Sequence, residues 1–236
     1  MLRPEMDNPK LLLTRPKQSA ARFAAELSVD SNRVCISPLL EIVPKENLPD
    51  LAQFDQVIFT SVNAVAVAPD GNQRRAFCVG KQTEKAALAK GWRIELVALN
   101  ADALVAAIRE RAVAGSLVHL AGAHRRGEIA ERLRHCGMDV SVVTLYEQHL
   151  RFLSPKAQSL LAGEAPVIVP LFSARTAAQF VDQAQCLDRA VIVAISATVA
   201  GIVKGLPIAD MLIAKTPTGE EMKRLVEKLL RKDRLP

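Results

Sequence analysis

Residues 140–149 read VSVVTLYEQH, and the fold follows from how this stretch is used. Its first half alternates apolar Val140, Val142 and Leu145 with Ser141 and Thr144, the pattern of an exposed or half-buried strand. It also carries Tyr146, the single tyrosine of the chain. Far upstream, residues 36–44 (ISPLLEIVP) have similar strand character and are bracketed by Pro38 and Pro44. Two such strands can pair as a ladder linking two lobes. A phenol on that ladder is expected to face the cleft between them.

Outward from these strands, short β-type runs alternate with amphipathic helical stretches, the pattern of an α/β protein with parallel sheets. Residues 11–14 form the first strand, Arg15-Pro16 closes the turn, and 18–27 run as a helix with Ala21, Phe23, Ala24 and Leu27 on its buried side. Residues 34–44 are extended and leave this unit. The strand 57–60 (VIFT) runs into Ser61-Val62-Asn63-Ala64, where Ser61 or Asn63 caps a helix that Pro69-Asp70-Gly71-Asn72 cuts short. A strand at 76–80 leads through Lys81-Gln82-Thr83 into a helix ending at Gly91. A strand at 94–99 and a helix at 101–111 follow. The strand 117–120 meets Gly122 before a strongly basic helix at 125–135, closed by Gly137, and the chain returns through 140–146.

The second half repeats the first. Strand, serine turn and helix recur at 167–172, Ser173-Ala174 and 176–184, matching 57–66. They recur again at 190–195, Ser196-Ala197-Thr198 and 199–205, matching 77–91 with Thr198 against Thr83, and 212–230 aligns with 94–111. Such repetition implies two similar lobes. The repeat is permuted, because 117–146 ends the first copy while its counterpart, 11–42, starts the chain. The expected organisation is therefore 1–35 with 150–236 as one parallel-sheet α/β lobe, 48–140 as the other, and a two-stranded β-ladder of 36–47 and 141–149 in which the chain crosses twice. Open parallel sheets bind ligands beyond the carboxyl ends of their strands. Here those ends carry Thr14-Arg15, Thr60-Ser61, Lys81 to Thr83, Gly122, Ser173, Ser196 to Thr198 and Thr216 to Thr218, and both lobes are expected to aim them at one cleft.

Composition narrows the ligand. With 236 residues, half of them hydrophobic, the chain has enough apolar material for two modest cores. Aromatics are only 4%, so the cores are aliphatic, and one Trp92 and one Tyr146 leave little to stack nucleobases. Nucleic acid is not the expected partner. The net charge of +6 suggests an acidic partner near a basic cleft, which a small polyanion fits as well as a nucleic acid does, with Arg15 and Lys81 as the nearest cations. Cys35, Cys78, Cys136 and Cys186 lack zinc-site spacing and read as reduced thiols, and the four histidines show no ligand pairing, so no metal is expected. The start of the chain lacks the apolar region of a signal peptide, and no run approaches a membrane span, which makes a cytoplasmic protein the expectation. Neither GxGxxG nor a P-loop occurs; TPTGEEMKR lacks the glycine-rich loop and the GK pair. The run His124-Arg125-Arg126 and the tail 223–234 read as solvated helix faces.

Taken in order, LLLTRP, SPLLEIVP, VIFTSVNAV, CVGKQTEKAALAKGW, the Gly122 strand-to-basic-helix unit, VSVVTLYEQ, VPLFSARTAAQF, AISATVAGIVKGL and AKTPTGEEMKRLVEKLL resemble the uroporphyrinogen-III synthase family over nearly the whole chain. The resemblance implies two α/β lobes joined by a two-stranded ladder, a monomer, no cofactor, and hydroxymethylbilane, with its eight carboxylates, as substrate. The upstream hydroxymethylbilane-producing enzyme is the candidate partner. It also implies the chemistry: the linear tetrapyrrole loses its terminal hydroxyl as water, closes through a spiro intermediate that inverts the last pyrrole ring, and yields the type III macrocycle. The pyrrole nitrogen supplies the electron push. The protein then needs only a weak acid for the leaving hydroxyl and a mould for the rings and carboxylates.

A tyrosine on a strand is ordinarily a structural amphipath, but the resemblance makes Tyr146 the leading acid, since a phenol keeps its proton at neutral pH. Ser61, Thr83, Ser173, Thr198 and Thr218 are first of all helix caps, a role compatible with carboxylate binding at helix N-termini. Together with Arg15, Lys81, Gly122 and Ser196 they make up the expected binding set. The sequence departs from the family pattern where Pro69 to Asn72 cut a helix short and where Glu84 follows Thr83. The competing reading is a non-catalytic two-lobed regulator or receptor that closes on a small anion.

Overall fold

The computed structural model describes residues 8–125 and 128–231. Arg126 and the far end of the basic tail, both named above, lie outside them. In chain order the elements are β1 (Lys10–Leu13), α1 (Lys17–Glu26), β2 (Val34–Ile36), β3 (Leu40–Pro44), β4 (Gln56–Phe59), α2 (Val62–Val67), β5 (Arg75–Val79), α3 (Lys81–Ala89), β6 (Arg93–Ala98), α4 (Ala101–Glu110) and β7 (Leu117–Gly122). There follow α5 (Ile129–Arg134), β8 (Val140–Leu150), α6 (Pro155–Leu161), β9 (Val167–Leu171), α7 (Ala174–Val181), β10 (Ala190–Ala194), α8 (Ala197–Val203), β11 (Asp210–Ile213) and α9 (Gly219–Leu230).

The chain divides into two units: the residues through Glu41 with those from His149 onward, and Ile42–Gln148. In the first, five parallel strands lie in the order β11-β10-β9-β1-β2. Counted along this unit's own chain, that is the 2-1-3-4-5 order of flavodoxin-like doubly wound sheets, whose ligand crevice opens where the order reverses. That point lies between β1 and β9. β2 is an edge strand here, so residues 34–36 stay with this unit rather than leaving it: a Val-Cys-Ile run pairs readily beside β1, and Leu13, Ser37 and Leu39 fix its exit by backbone hydrogen bonds.

The strands of this unit are apolar on both faces, as a covered parallel sheet requires. Leu12, Val169, Leu171 and Ile192 pack under α6, α7 and α8, while Leu11, Leu13, Ile168 and Val193 pack under α1 and α9. On α1 the buried residues are Ser19, Ala20 and Phe23, with Leu27 just beyond; Ala21, expected inside, is exposed, because the stripe is set by Phe23 meeting Phe172 edge-on at 5.1 Å.

In the second unit β8-β7-β4-β5-β6 are parallel, and β3 pairs with the outer side of β8. The Lys45 N–H donates to Leu145 and the Arg151 N–H to Leu39, so one chain position rises as the other falls and the pair is antiparallel. Placed alongside the first sheet, β6-β5-β4-β7-β8 corresponds strand for strand to β11-β10-β9-β1-β2. The permutation read from the repeats is thus a permutation of one spatial order, and β7/β4 is the second reversal point. Val57, Phe59, Val118 and Leu120 pack under α2 and α3, and Ile58, Phe77 and Leu117 under α4 and α5. The chain passes between the units inside the paired strands β3 and β8.

One helix is as short as its sequence implies, and another is shorter than expected. α2 has six residues and stops at Ala68, as the Pro69–Asn72 breaker dictates, and the Lys90 ammonium donates to the freed carbonyls of Val65, Ala66 and Ala68. α5 covers only Ile129–Arg134 of the expected 125–135, starting after Glu128, whose left-handed φ of 43° is incompatible with a helix through it.

Candidate active site

Where β8 passes the carboxyl end of β7, Ala121 pairs with Thr144 and Gly122 with Tyr146, so Leu145 is inserted as a β-bulge. The consequence is a change of face. Val140 and Val142 pack on the α4/α5 side, Val143 and Leu145 on the α2/α3 side, and strict alternation would return Tyr146 to the first. The extra residue instead places Leu145 and Tyr146 on the α2/α3 side together.

Tyr146 is 2% exposed, so its ring is packed inside this unit rather than open to a cleft. It rests on Gly122: a Cβ at that position would stand 2.5 Å from Cε2 and 2.6 Å from Cζ of the ring, and only glycine leaves room. The phenol donates to Ser61 Oγ at 3.5 Å, a long bond, and Ser61 Oγ accepts from the Asn63 N–H at 3.1 Å, capping α2. Three of the expected site residues, on or just beyond β4, β7 and β8, are therefore brought together. The neighbouring Glu147 carboxylate lies 3.5 Å from the Lys45 ammonium.

On the α5 side of the same strand ends lies a residue absent from the expected set. His119 Nε2 is 3.2 Å from Thr60 Oγ1, and the ring borders a cavity of about 280 Å³ shared with Arg125, Glu128 and Glu131. Burial, reinforced by Arg125 and opposed by Glu131, lowers its pKa to about 4, so the imidazole is neutral at physiological pH. The legible signal was a histidine inside the otherwise apolar strand LVHLAG, which must find an internal partner.

In the first unit the strand ends behave as sequence predicts at Ser173 and Thr218, while Ser196 takes the cap position expected of Thr198. Ser173, Ser196 and Thr218 are N-caps, accepting from the backbone of Thr176, Val199 and Glu221 at 3.1, 3.4 and 3.2 Å. Thr83 and Thr198, expected as caps, are not. Gly80 and Ser196 hold the cap positions, so both threonines fall within the first helical turn, Thr83 buried and Thr198 exposed. Lys81 opens α3 as an exposed side chain. Arg15 lies with its guanidinium 4.0 Å above the Phe172 ring, at the β1/β9 reversal point.

Proteins similar to this chain in sequence and in fold are known. The family model described as uroporphyrinogen-III synthase HemD matches residues 21–224. The chain belongs to the uroporphyrinogen-III synthase family. A uroporphyrinogen-III synthase of Chlorobaculum parvum is 28% identical over 243 residues, covering 94% of this chain and 99% of the relative. The crystal structure of uroporphyrinogen-III synthetase from Helicobacter pylori aligns with a TM-score of 0.67 at 18% identity, covering 94% of this chain and 99% of that one. A mutant uroporphyrinogen III synthase of Thermus thermophilus aligns with a TM-score of 0.52 at 12% identity, over 95% of this chain and 100% of the other. At such identities the two solved structures bear on the fold, which they place in the same α/β class. Membership of the family leaves the non-catalytic receptor reading unfavoured. Among the described residues, no helix is long and apolar enough to cross a membrane.

Proposed function

We propose that this chain is the lyase that closes hydroxymethylbilane to the type III macrocycle with inversion of the terminal ring and loss of water, acting as a cytoplasmic monomer. The observation that carries the reading, beyond family membership, is the bulge that sets the single phenol against Gly122 and Ser61 at a sheet reversal point. Tyr146 is the acid. Because the ring is buried, substrate binding must first expose the phenol; its long bond to Ser61 is then given up to the departing hydroxyl while the pyrrole nitrogen drives the carbon–oxygen bond apart. Ser61 orients that proton and, with Gly122, shapes the wall. The capped helix starts at Ser173, Ser196 and Thr218, the first-turn threonines Thr83 and Thr198, and the cations Arg15 and Lys81 receive carboxylates.

The test is isomer analysis. The protein is incubated with enzymatically generated hydroxymethylbilane, the product oxidised, and the porphyrins resolved. Type III is the expected isomer; the spontaneous type I isomer alone would sink the reading.

A further inference from the structure

Thr60 and Ser61 are consecutive, and their side chains are engaged on opposite faces of one sheet. They follow β4 into the turn before α2, and Ser61 is extended, with φ −151° and ψ 136°. Successive side chains alternate in such backbone. Ile58, two residues before Thr60, packs under α4 and α5, and Phe59, two before Ser61, packs under α2 and α3. Thr60 accordingly meets His119 at 3.2 Å on the first face, while Ser61 takes the Tyr146 phenol at 3.5 Å on the second.

His119 is well placed to anchor that turn. It belongs to β7, which stands between β4 and β8, and the ladders set it beside Ile58 on one side and Val142 on the other. The ring is 2% exposed, and burial keeps it neutral, so it pairs with a hydroxyl without bringing a charge into the core. Leucine would fill the same place without the cost of burying a polar group. The turn needs outside support, because the helix it leads into has only six residues.

We propose that His119 is a positioning residue for the reaction: through Thr60 it fixes the turn between β4 and α2, so that Ser61 holds the Tyr146 phenol in the orientation from which its proton is delivered. This rests on the functional reading above for Tyr146 as the acid. His119 acts across the sheet, by way of two neighbouring residues that share one peptide unit.

Tyr146 is the single tyrosine, so tyrosine carrying an isotopic carbon label at Cζ gives one NMR signal that reports the surroundings of the phenol without turnover. Thr60→Val keeps the side-chain shape and removes the hydroxyl; its signal should move towards that of Ser61→Ala. His119→Leu carries the same expectation should Thr60→Val not fold. Thr60→Ser and His119→Gln, which can restore the bond, should keep the wild-type signal. In turnover, Thr60→Val and His119→Leu should lower kcat for type III formation by about three- to tenfold with KM within about twofold, the mark of an interaction used in the transition state rather than in binding. Combined with Ser61→Ala, Thr60→Val should add no further loss, because the two residues act as one unit. A wild-type Tyr146 signal in Thr60→Val and His119→Leu, losses that add in the double variant, or equal losses from the apolar and the hydrogen-bonding replacements would overturn the proposal. If the wild-type protein makes no type III product, the functional reading fails, while the NMR signal still decides whether His119 and Thr60 hold the phenol.

Discussion

Tyr146 and His119 occupy opposite faces of the same strand ends and make different demands on solution conditions. Tyr146→Phe should lower the type III rate by at most about a hundredfold, because the pyrrole supplies most of the push and a general acid adds roughly 10²- to 10⁴-fold at best. Its circular dichroism should be unchanged, since the hydroxyl makes only the long bond to Ser61. A wild-type rate for Tyr146→Phe beside a dead Glu147→Gln would move the role to Glu147. Gly122→Ala must displace the ring and should cost turnover as well as stability. For His119 the relevant pH range is acidic. Above its ordinary value of 6.5 the imidazole is neutral whether the chain is folded or not; as pH falls from 6.5 towards about 4, only the unfolded chain takes up the proton. Folding stability should therefore drop through that window by on the order of 3 kcal/mol. Urea midpoints at about pH 7 and pH 4.5, followed by Trp92 fluorescence, should differ more in the wild type than in His119→Gln; equal differences would refute the assignment. Tyr146 was legible in sequence as the single phenol on a linking strand. Its burial was not, because the face a side chain takes depends on a one-residue insertion seen only against β7.

At the scale of elements, the helix starts separate residues that hold the fold from residues free to bind. Thr218→Ala removes a cap bond to α9 and should cost about 1 kcal/mol of stability. Thr198→Ala removes no cap, so thermal unfolding should shift little, within about 0.5 kcal/mol, and a several-fold loss of type III turnover would then report ligand contact. A stability loss equal to that of Thr218→Ala would show that the Thr198 hydroxyl is structural after all. The short α2 depends on a partner from another element: Lys90 satisfies carbonyls that the proline breaker leaves open, and Lys90→Met should destabilise the second unit by about 1–2 kcal/mol in urea titrations. The breaker was plain in sequence. The lysine that compensates for it was not, since it comes from the end of α3.

For the whole molecule, each sheet is covered by two apolar layers of its own. Unfolding is therefore expected in two steps, with Trp92 fluorescence reporting the second unit and far-ultraviolet circular dichroism reporting both. Phe180→Ala, which empties a fully buried site in the first unit, should shift the circular dichroism transition by the several kcal/mol typical of a large core deletion and leave the Trp92 transition in place. Coincident shifts would mean that the units unfold as one. The sequence by itself determined the alternation of strands and helices, the permuted repeat and the family, because turn residues and hydrophobic period act over a few residues and recur in order along the chain. Only the tertiary structure decided the bulge at Leu145, the Thr60–His119 pair and the seat of Arg15 on Phe172. Each joins the ends of strands that are distant in the chain and adjacent in a parallel sheet, where register and side-chain reach are set by the partner strand rather than by local sequence.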